Sequence, residues 1–380
     1  MKAWILNGIG DISYEDISVM PPDEGEVLIR VRAAGICGSD VPRTYDTGAH
    51  KHPLIIGHEF SGEVADIGRG VSKEWDGKCA GVFPLIPCCK CDQCRLGSYE
   101  MCRHYDYVGS RRDGAFAQFV RVPAKNLIEL PPEASFEEAA MLEPMAVAVH
   151  AIRKGTDEFS LDKNALIAVC GLGTIGLLAA MFLQEAGYDN LCLIGNKMLQ
   201  KKLAVDLGID KSRVFIQHTG QSANPESDAL KDEATDPVSC LAREGGAALF
   251  FECVGKNECL SLGVDVLRPA GCLVCVGNPA SNMTLERNVY WKILRSQLTL
   301  MGTWNSSFTY REEHKYQSDD NRKANTADID DWQYVLRKLA EGSIHPSKLI
   351  THRLQLAELE RGLLLMRDKT EEYCKVMVQI

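Results

Sequence analysis

No apolar stretch in the chain approaches the roughly 20 residues needed to cross a bilayer, so a transmembrane helix is excluded. The opening, MKAWILNGIGDISYED, has too short an apolar part and turns acidic too soon for a secretory signal, so a cytoplasmic protein is expected. There is no excess of positive charge either. The net charge of −10 repels nucleic acid and anionic membrane, and an anionic substrate would therefore need a local basic cluster. Neither an internal repeat nor a heptad is present, which removes solenoids and coiled coils. What is left is an ordinary folded composition, 45% hydrophobic and 25% charged, in 380 residues, enough for two core-bearing domains.

Cysteine is abundant, with 15 in the chain. Without an export signal these read as reduced thiols and metal ligands. Cys170, Cys192, Cys253, Cys272 and Cys275 lie inside apolar runs and read as small hydrophobes. Cys88, Cys91, Cys94 and Cys102 differ, because their C-x2-C-x2-C-x7-C spacing lets four thiolates wrap one tetrahedral ion. Four sulfurs point to zinc or iron–sulfur, with Zn2+ expected, and such a closed site has no open position for substrate, so this metal is expected to be structural. The alternative is disulfides in a secreted protein. Cys89 is one thiol more than the site needs.

Three textures follow one another along the chain. Residues 1 to about 150 are rich in Gly, Pro and short β-branched runs such as EVLIRVRAAG and FSGEVADIG, the punctuation of a β-dominated domain. From about 160 to 280, short apolar runs (NALIAVCG, NLCLIG, AALFFECVG, GCLVCVG) alternate with helical stretches, the pattern of doubly buried strands in a parallel α/β sheet. The last hundred residues mix both and include a charge-dense stretch, YREEHKYQSDDNRKANTADIDD, expected as a surface loop leading into a helix.

In the alternating region, Gly171, Gly173 and Gly176 form G-x-G-x-x-G, with Thr174 and Ile175 between the last two. The motif follows an apolar strand and opens an apolar helix. That context suits a dinucleotide, with a tight turn, close approach of backbone to pyrophosphate, and a helix N-terminus for the phosphates. About twenty residues on, where NAD enzymes keep an acid for the ribose, this chain has Gly195, Asn196 and Lys197. NADP is thus at least as well suited as NAD, unless Lys197 is only the solvated start of a helix.

Taken in order, GICGSD (35–40), GHEFSG (57–62), the four-cysteine run, LEPMAVAVHA (142–151), GLGTIG (171–176) and FECVG (251–255) resemble the zinc-dependent medium-chain dehydrogenase/reductases end to end, and within them the polyol branch. The resemblance implies an α/β protein. A GroES-like β-rich catalytic domain would comprise 1–155 and 290–380, with the structural zinc lobe at about 86–104, and a doubly wound Rossmann domain would cover 156–289. It implies a second, catalytic zinc on Cys37, His58 and Glu143, with Glu59 either exchanging on the metal or orienting it. Ser39, two residues after Cys37, is implied as the first proton relay. The positions that often continue such a relay hold Val41 and Pro42 here, leaving His50 as a replacement or as an uninvolved loop histidine. Val254, Val276 and Gly277 are implied to line the cofactor.

The expected reaction is oxidation of a secondary hydroxyl of a polyol, or of a sugar-alcohol phosphate, to a ketose. It would use two zincs per chain and NADP or NAD in a homodimer or homotetramer. Arg111 and Arg112 of GSRRDG, with Arg43, could hold a phosphate bidentately, or could be charges solvated in a turn. Trp304 and Asn305 are implied to close the substrate pocket, though a tryptophan there could equally be domain-interface core. A threonine-type or sorbitol-type dehydrogenase is the nearer alternative. A non-catalytic zinc- and nucleotide-binding protein is the remote one, and none of its ligands or glycines is lost.

Overall fold

A computed structural model describes residues 1–217, 236–310 and 329–380. They form two compact units, Met1–Ala146 with Ser306–Ile380, and Val147–Asn305. Most of the charge-dense stretch expected as a loop lies outside the described residues. The helix expected after it is Asp331–Ala340, where Asp330 Oδ1 accepts the Gln333 N–H at 2.8 Å and caps the first turn.

The first unit is built on a seven-stranded sheet. Its spine is Glu26–Ile36, a run buried throughout except at Glu26, Arg30 and Arg32. Antiparallel neighbours are Glu59–Ile67 on one side and Lys375–Gln379 on the other, and Phe119–Pro123 pairs with its first half. Ile29, Phe60, Phe116 and Val376 anchor the apolar core beneath. The register sets Gly35 opposite both Glu59 and Met377, two residues from Lys375. A Cβ on Gly35 would run into the Glu59 carboxylate and the Lys375 side chain, so only glycine lets these two groups meet there.

The second unit carries a six-stranded, all-parallel sheet. In spatial order the strands are Val214–Ile216, Leu191–Gly195, Ile167–Cys170, Ala247–Glu252, Leu267–Cys275 and Thr299–Gly302. Numbered along the chain this is 3-2-1-4-5-6, the Rossmann order, with its topological switch beside Ile167–Cys170. Thr299–Gly302 pairs with Leu267–Cys275, and residues 147–155 and 290–305, expected in the catalytic domain, belong to this second unit instead. A parallel partner reached through the helix Arg287–Ser296 is a non-local pairing with no local signature. Among the described residues no helix is long and apolar enough to cross a membrane.

Candidate metal centres and dinucleotide site

Strand ends gather the first centre. Cys37 follows directly on Ile36 at the end of the spine strand, and His58 and Glu59 stand at the start of its neighbour. Ligand atoms of Cys37, His58 and Glu59 all lie within 4.8 Å of one another. A thiolate, an imidazole and a carboxylate brought together under cover are the donor set of a zinc site that keeps a position for another ligand. Glu143 is buried nearby but outside this mutually close set, and its Oε1 accepts the Tyr107 hydroxyl at 3.2 Å. Ser39 Oγ donates to Cys37 Sγ at 3.3 Å.

Asp40 organises the cluster from behind. It is fully buried, and its Oδ2 accepts the Cys37 N–H at 3.0 Å while its Oδ1 takes the Arg43 guanidinium at 2.6 Å. Its Oδ1 also lies 3.4 Å from His58 Nδ1, a buried atom with no hydrogen-bond partner. The distance is long for a hydrogen bond, yet the carboxylate marks Nδ1 as the nitrogen turned from the metal side. Burial works against a charged His58. The Asp40 carboxylate and the Cys37 thiol outweigh it and hold the imidazole pKa well above its ordinary value. A cation binding here would displace that proton. Burial pushes the Glu143 carboxyl up to about 7, with Glu59 adding to the rise and His58 and Lys375 opposing it.

Lys375 is the unexpected member of this group. It is 2% exposed, its Nζ is ion-paired with Glu59 Oε2, and it donates to the Ile36 carbonyl at 3.1 Å. Burial disfavours its charge, but Glu59, Cys37 and Glu143 hold its pKa above the ordinary value. Sequence reading missed both Asp40 and Lys375. Asp40 stood inside GICGSD, and a lysine within the apolar run CKVMV was a visible oddity whose partner lay 316 residues away.

Cys88, Cys91, Cys94 and Cys102 form the second group, again with ligand atoms within 4.8 Å of one another. Cys94 Sγ lies 3.5 Å from Cys91 Sγ and 3.9 Å from Cys88 Sγ, and the Cys88 N–H donates to Cys102 Sγ at 3.2 Å. Backbone N–H groups of Arg103 and Cys94 lower the Cys91 thiol to about 6, the direction a metal-ligating thiolate needs. Cys89 is turned away and exposed, its sulfur 3.6 Å from the Pro87 carbonyl and 3.9 Å from Lys125 Nζ.

In the second unit the glycine loop sits at the sheet's switch point. Gly173 is the N-cap of the helix Thr174–Glu185, so Thr174, Ile175 and Gly176 supply its first turn. A Cβ on Gly171 would meet Val254 Cγ2 at 2.5 Å, and one on Gly176 would run into the Gly171 carbonyl. Only bare backbone passes here, which suits close approach of a pyrophosphate to a helix N-terminus. Glu252 Oε1 accepts the N–H groups of Val254 and Gly255, both at 2.8 Å, and its carbonyl accepts those of Val276 and Gly277. Val254, Val276 and Gly277 therefore stand together at adjoining strand ends. At the next strand end, Gln200 Oε1 accepts the N–H groups of Asn196 and Lys197 at 2.9 and 3.2 Å, and a Cβ on Gly195 would meet that oxygen at 2.6 Å. No carboxylate stands at this corner in the chain segment Gly195–Met198.

Of the residues expected at the substrate, Arg112 is committed elsewhere, its Nη2 donating to Glu26 Oε1 at 2.5 Å. Arg43 is paired with Asp40, and Arg111 lies over the Tyr105 ring. His50 is exposed, with its pKa lowered by partial burial and by the charges of Arg111 and Arg43. No hydrogen bond joins it to Ser39 among the described residues. Trp304 is 59% exposed on the second unit, not core, and Asn305 adopts a left-handed conformation beside it.

A Rossmann sheet, a GroES-like β-unit and two cysteine-bearing clusters define a zinc- and nicotinamide-dependent dehydrogenase. Residues 23–132 match the alcohol dehydrogenase GroES-like domain, and residues 174–318 match the zinc-binding dehydrogenase domain. Galactitol 1-phosphate 5-dehydrogenase of Escherichia coli K12 is 31% identical over 353 residues, 92% of each chain. Sorbitol dehydrogenase of Halalkalibacterium halodurans is 29% identical over 371 residues, 95% of each. The crystal structure of galactitol-1-phosphate dehydrogenase from Escherichia coli matches with a TM-score of 0.80 at 28% identity over the whole of both chains. The chain belongs to the zinc-dependent medium-chain dehydrogenase/reductase family, among its polyol dehydrogenases, and is an enzyme acting on alcohol groups.

Proposed function

We propose that this protein oxidises a secondary hydroxyl of a polyol carrying a remote phosphate to a ketose, with NADP at least as well used as NAD. The observation that carries the reading is the Cys37–His58–Glu59 cluster, whose donor set fits a zinc with room for substrate. Cys37, His58 and a carboxylate, Glu59 or Glu143, would hold that zinc, and the four cysteines would hold a second, structural one. When bound, zinc supplies Lewis acidity toward a hydroxyl oxygen and the nicotinamide accepts hydride.

The chain's own residues do the rest. Asp40 fixes the Cys37 backbone and faces His58 Nδ1, so both donors are aimed before any ligand arrives. Lys375 pairs with one oxygen of Glu59 inside the fold and so fixes how that carboxylate faces the cluster. The alcohol loses a hydride from carbon and a proton from oxygen. Ser39, one hydrogen bond from Cys37, is positioned to take the proton. His50, whose pKa is lowered by partial burial and by the charges of Arg111 and Arg43, is a base to which solvent could pass it.

NADP use is supported by the corner formed by Asn196 and Lys197 without a neighbouring acid. A cytoplasmic homodimer or homotetramer is the expected form. The outermost strand Thr299–Gly302 and exposed Tyr290 and Trp291 support an interface on the second unit. The test is a panel of initial rates with galactitol, sorbitol, galactitol 1-phosphate and threonine, each with NAD and with NADP. Highest kcat/KM on the phosphate ester is expected. Preference for free polyol or for threonine overturns the substrate reading while leaving the family assignment intact.

A further inference from the structure

Two adjacent arginines in the turn after Val108 meet different fates. Arg112 gives its charge to Glu26 inside the fold. Arg111 has no carboxylate partner among the described residues. Its Cζ lies 4.5 Å from the centroid of Tyr105, and its Nε is buried without a hydrogen-bond partner. Asp113, the nearest acid in sequence, is used differently, its Oδ1 accepting the Ile55 N–H at 3.1 Å. The fold therefore presents one guanidinium whose donors the chain itself does not satisfy, a costly arrangement unless something else does.

The turn is locked to the metal-ligand loop. N–H groups of Gly114, Ala115 and Phe116 donate to the carbonyls of Ile55, Gly57 and Ile56 at 2.7, 3.0 and 3.0 Å, and Gly57 immediately precedes His58. A Cβ on Gly109 or on Gly114 would run into the Gly57 carbonyl, so the two backbones touch with nothing between them. A file of rings leads from the centre to the cation. His58 and Tyr107 are 5.8 Å apart between centroids, Tyr107 and Tyr105 are 6.2 Å apart, and Arg111 lies over Tyr105. Arg111 is thus held at a set remove from His58, on rigid backbone.

We propose that Arg111 alone of the pair anchors the phosphate monoester at the end of the substrate remote from the reacting hydroxyl. The assignment rests on the polyol-phosphate reading above. A guanidinium fork matches a phosphate dianion bidentately, and Tyr105 fixes the plane of the fork. Distance from His58 then selects chain length, so the anchor decides which hydroxyl reaches the metal centre.

The test compares wild type, Arg111→Met, which keeps the packing on Tyr105 without the charge, and Arg111→Lys, which keeps the charge without the fork. Inorganic phosphate binding to the zinc-loaded protein is measured by calorimetry at low ionic strength, with melting temperature as the check on folding. Arg111→Met should bind phosphate about 10–100-fold more weakly, as expected for loss of charge-assisted hydrogen bonds, and Arg111→Lys should fall between. The ratio of kcat/KM for galactitol 1-phosphate over galactitol should drop by a similar factor. Equal phosphate binding in wild type and Arg111→Met overturns the assignment whatever the substrate proves to be. Equal losses of kcat/KM on both substrates also overturn it. Wild type preferring galactitol, with phosphate binding still dependent on Arg111, overturns only the polyol-phosphate reading.

Discussion

Replacing Lys375 by methionine isolates the buried support of the metal cluster. Lys375 and Glu59 are both almost fully buried, and Nζ serves the Glu59 carboxylate and the Ile36 carbonyl together. Methionine fills much of the same volume, so the loss is electrostatic, not a cavity. Breaking a buried ion pair from one side leaves the other charge uncompensated, about 3–5 kcal/mol, and the Ile36 carbonyl loses a donor besides. That is a large share of the ~5–15 kcal/mol by which domains are stable. Glu59→Gln should cost a comparable amount by stranding Lys375. The double variant Lys375→Met/Glu59→Gln strands neither charge, so its cost should fall well below the sum of the two singles. Urea unfolding of chelator-treated protein gives the three free energies. In zinc-loaded protein, Lys375→Met should lower kcat more than it raises KM, because it acts through Glu59 and not on substrate. Single-variant costs that add to within about 0.5 kcal/mol would refute the pairing as the reason a lysine is buried there.

Three further outcomes are expected. Elemental analysis should find two zincs per chain; His58→Ala should lose one and stay folded, whereas Cys94→Ser should destabilise the lobe, since a closed zinc site contributes folding free energy. In chelator-treated protein, Glu143 holds its proton to about 7 when folded but releases it near 4.5 when unfolded, so its stabilising contribution is complete below the unfolded value and is lost as pH rises to about 7. Unfolding free energy should fall by the order of 3 kcal/mol over that window, and Glu143→Gln should flatten the profile; a curve equally steep in the variant would assign the titration to another group. Lys197→Ala should raise KM for NADP more than for NAD, and an unchanged ratio would place recognition of the ribose elsewhere.

Local constellations were legible because their parts are neighbours in the chain. Four cysteines within fifteen residues bring their ligand atoms within 4.8 Å of one another, and a strand, a glycine turn and a helix follow in succession as the local pattern requires. The order of the motifs identified the family for the same reason. Tertiary structure alone decided what depends on distant partners. Lys375 comes to Glu59 from 316 residues away, through the pairing of Lys375–Gln379 with the spine strand. Thr299–Gly302 joins the parallel sheet by an edge pairing that no local pattern records. Arg111 and Arg112 are equivalent as sequence. Only the approach of Glu26, 86 residues earlier, takes one charge out of use and leaves the other beside Tyr105, because electrostatic pairing depends on separation in space and not on order along the chain.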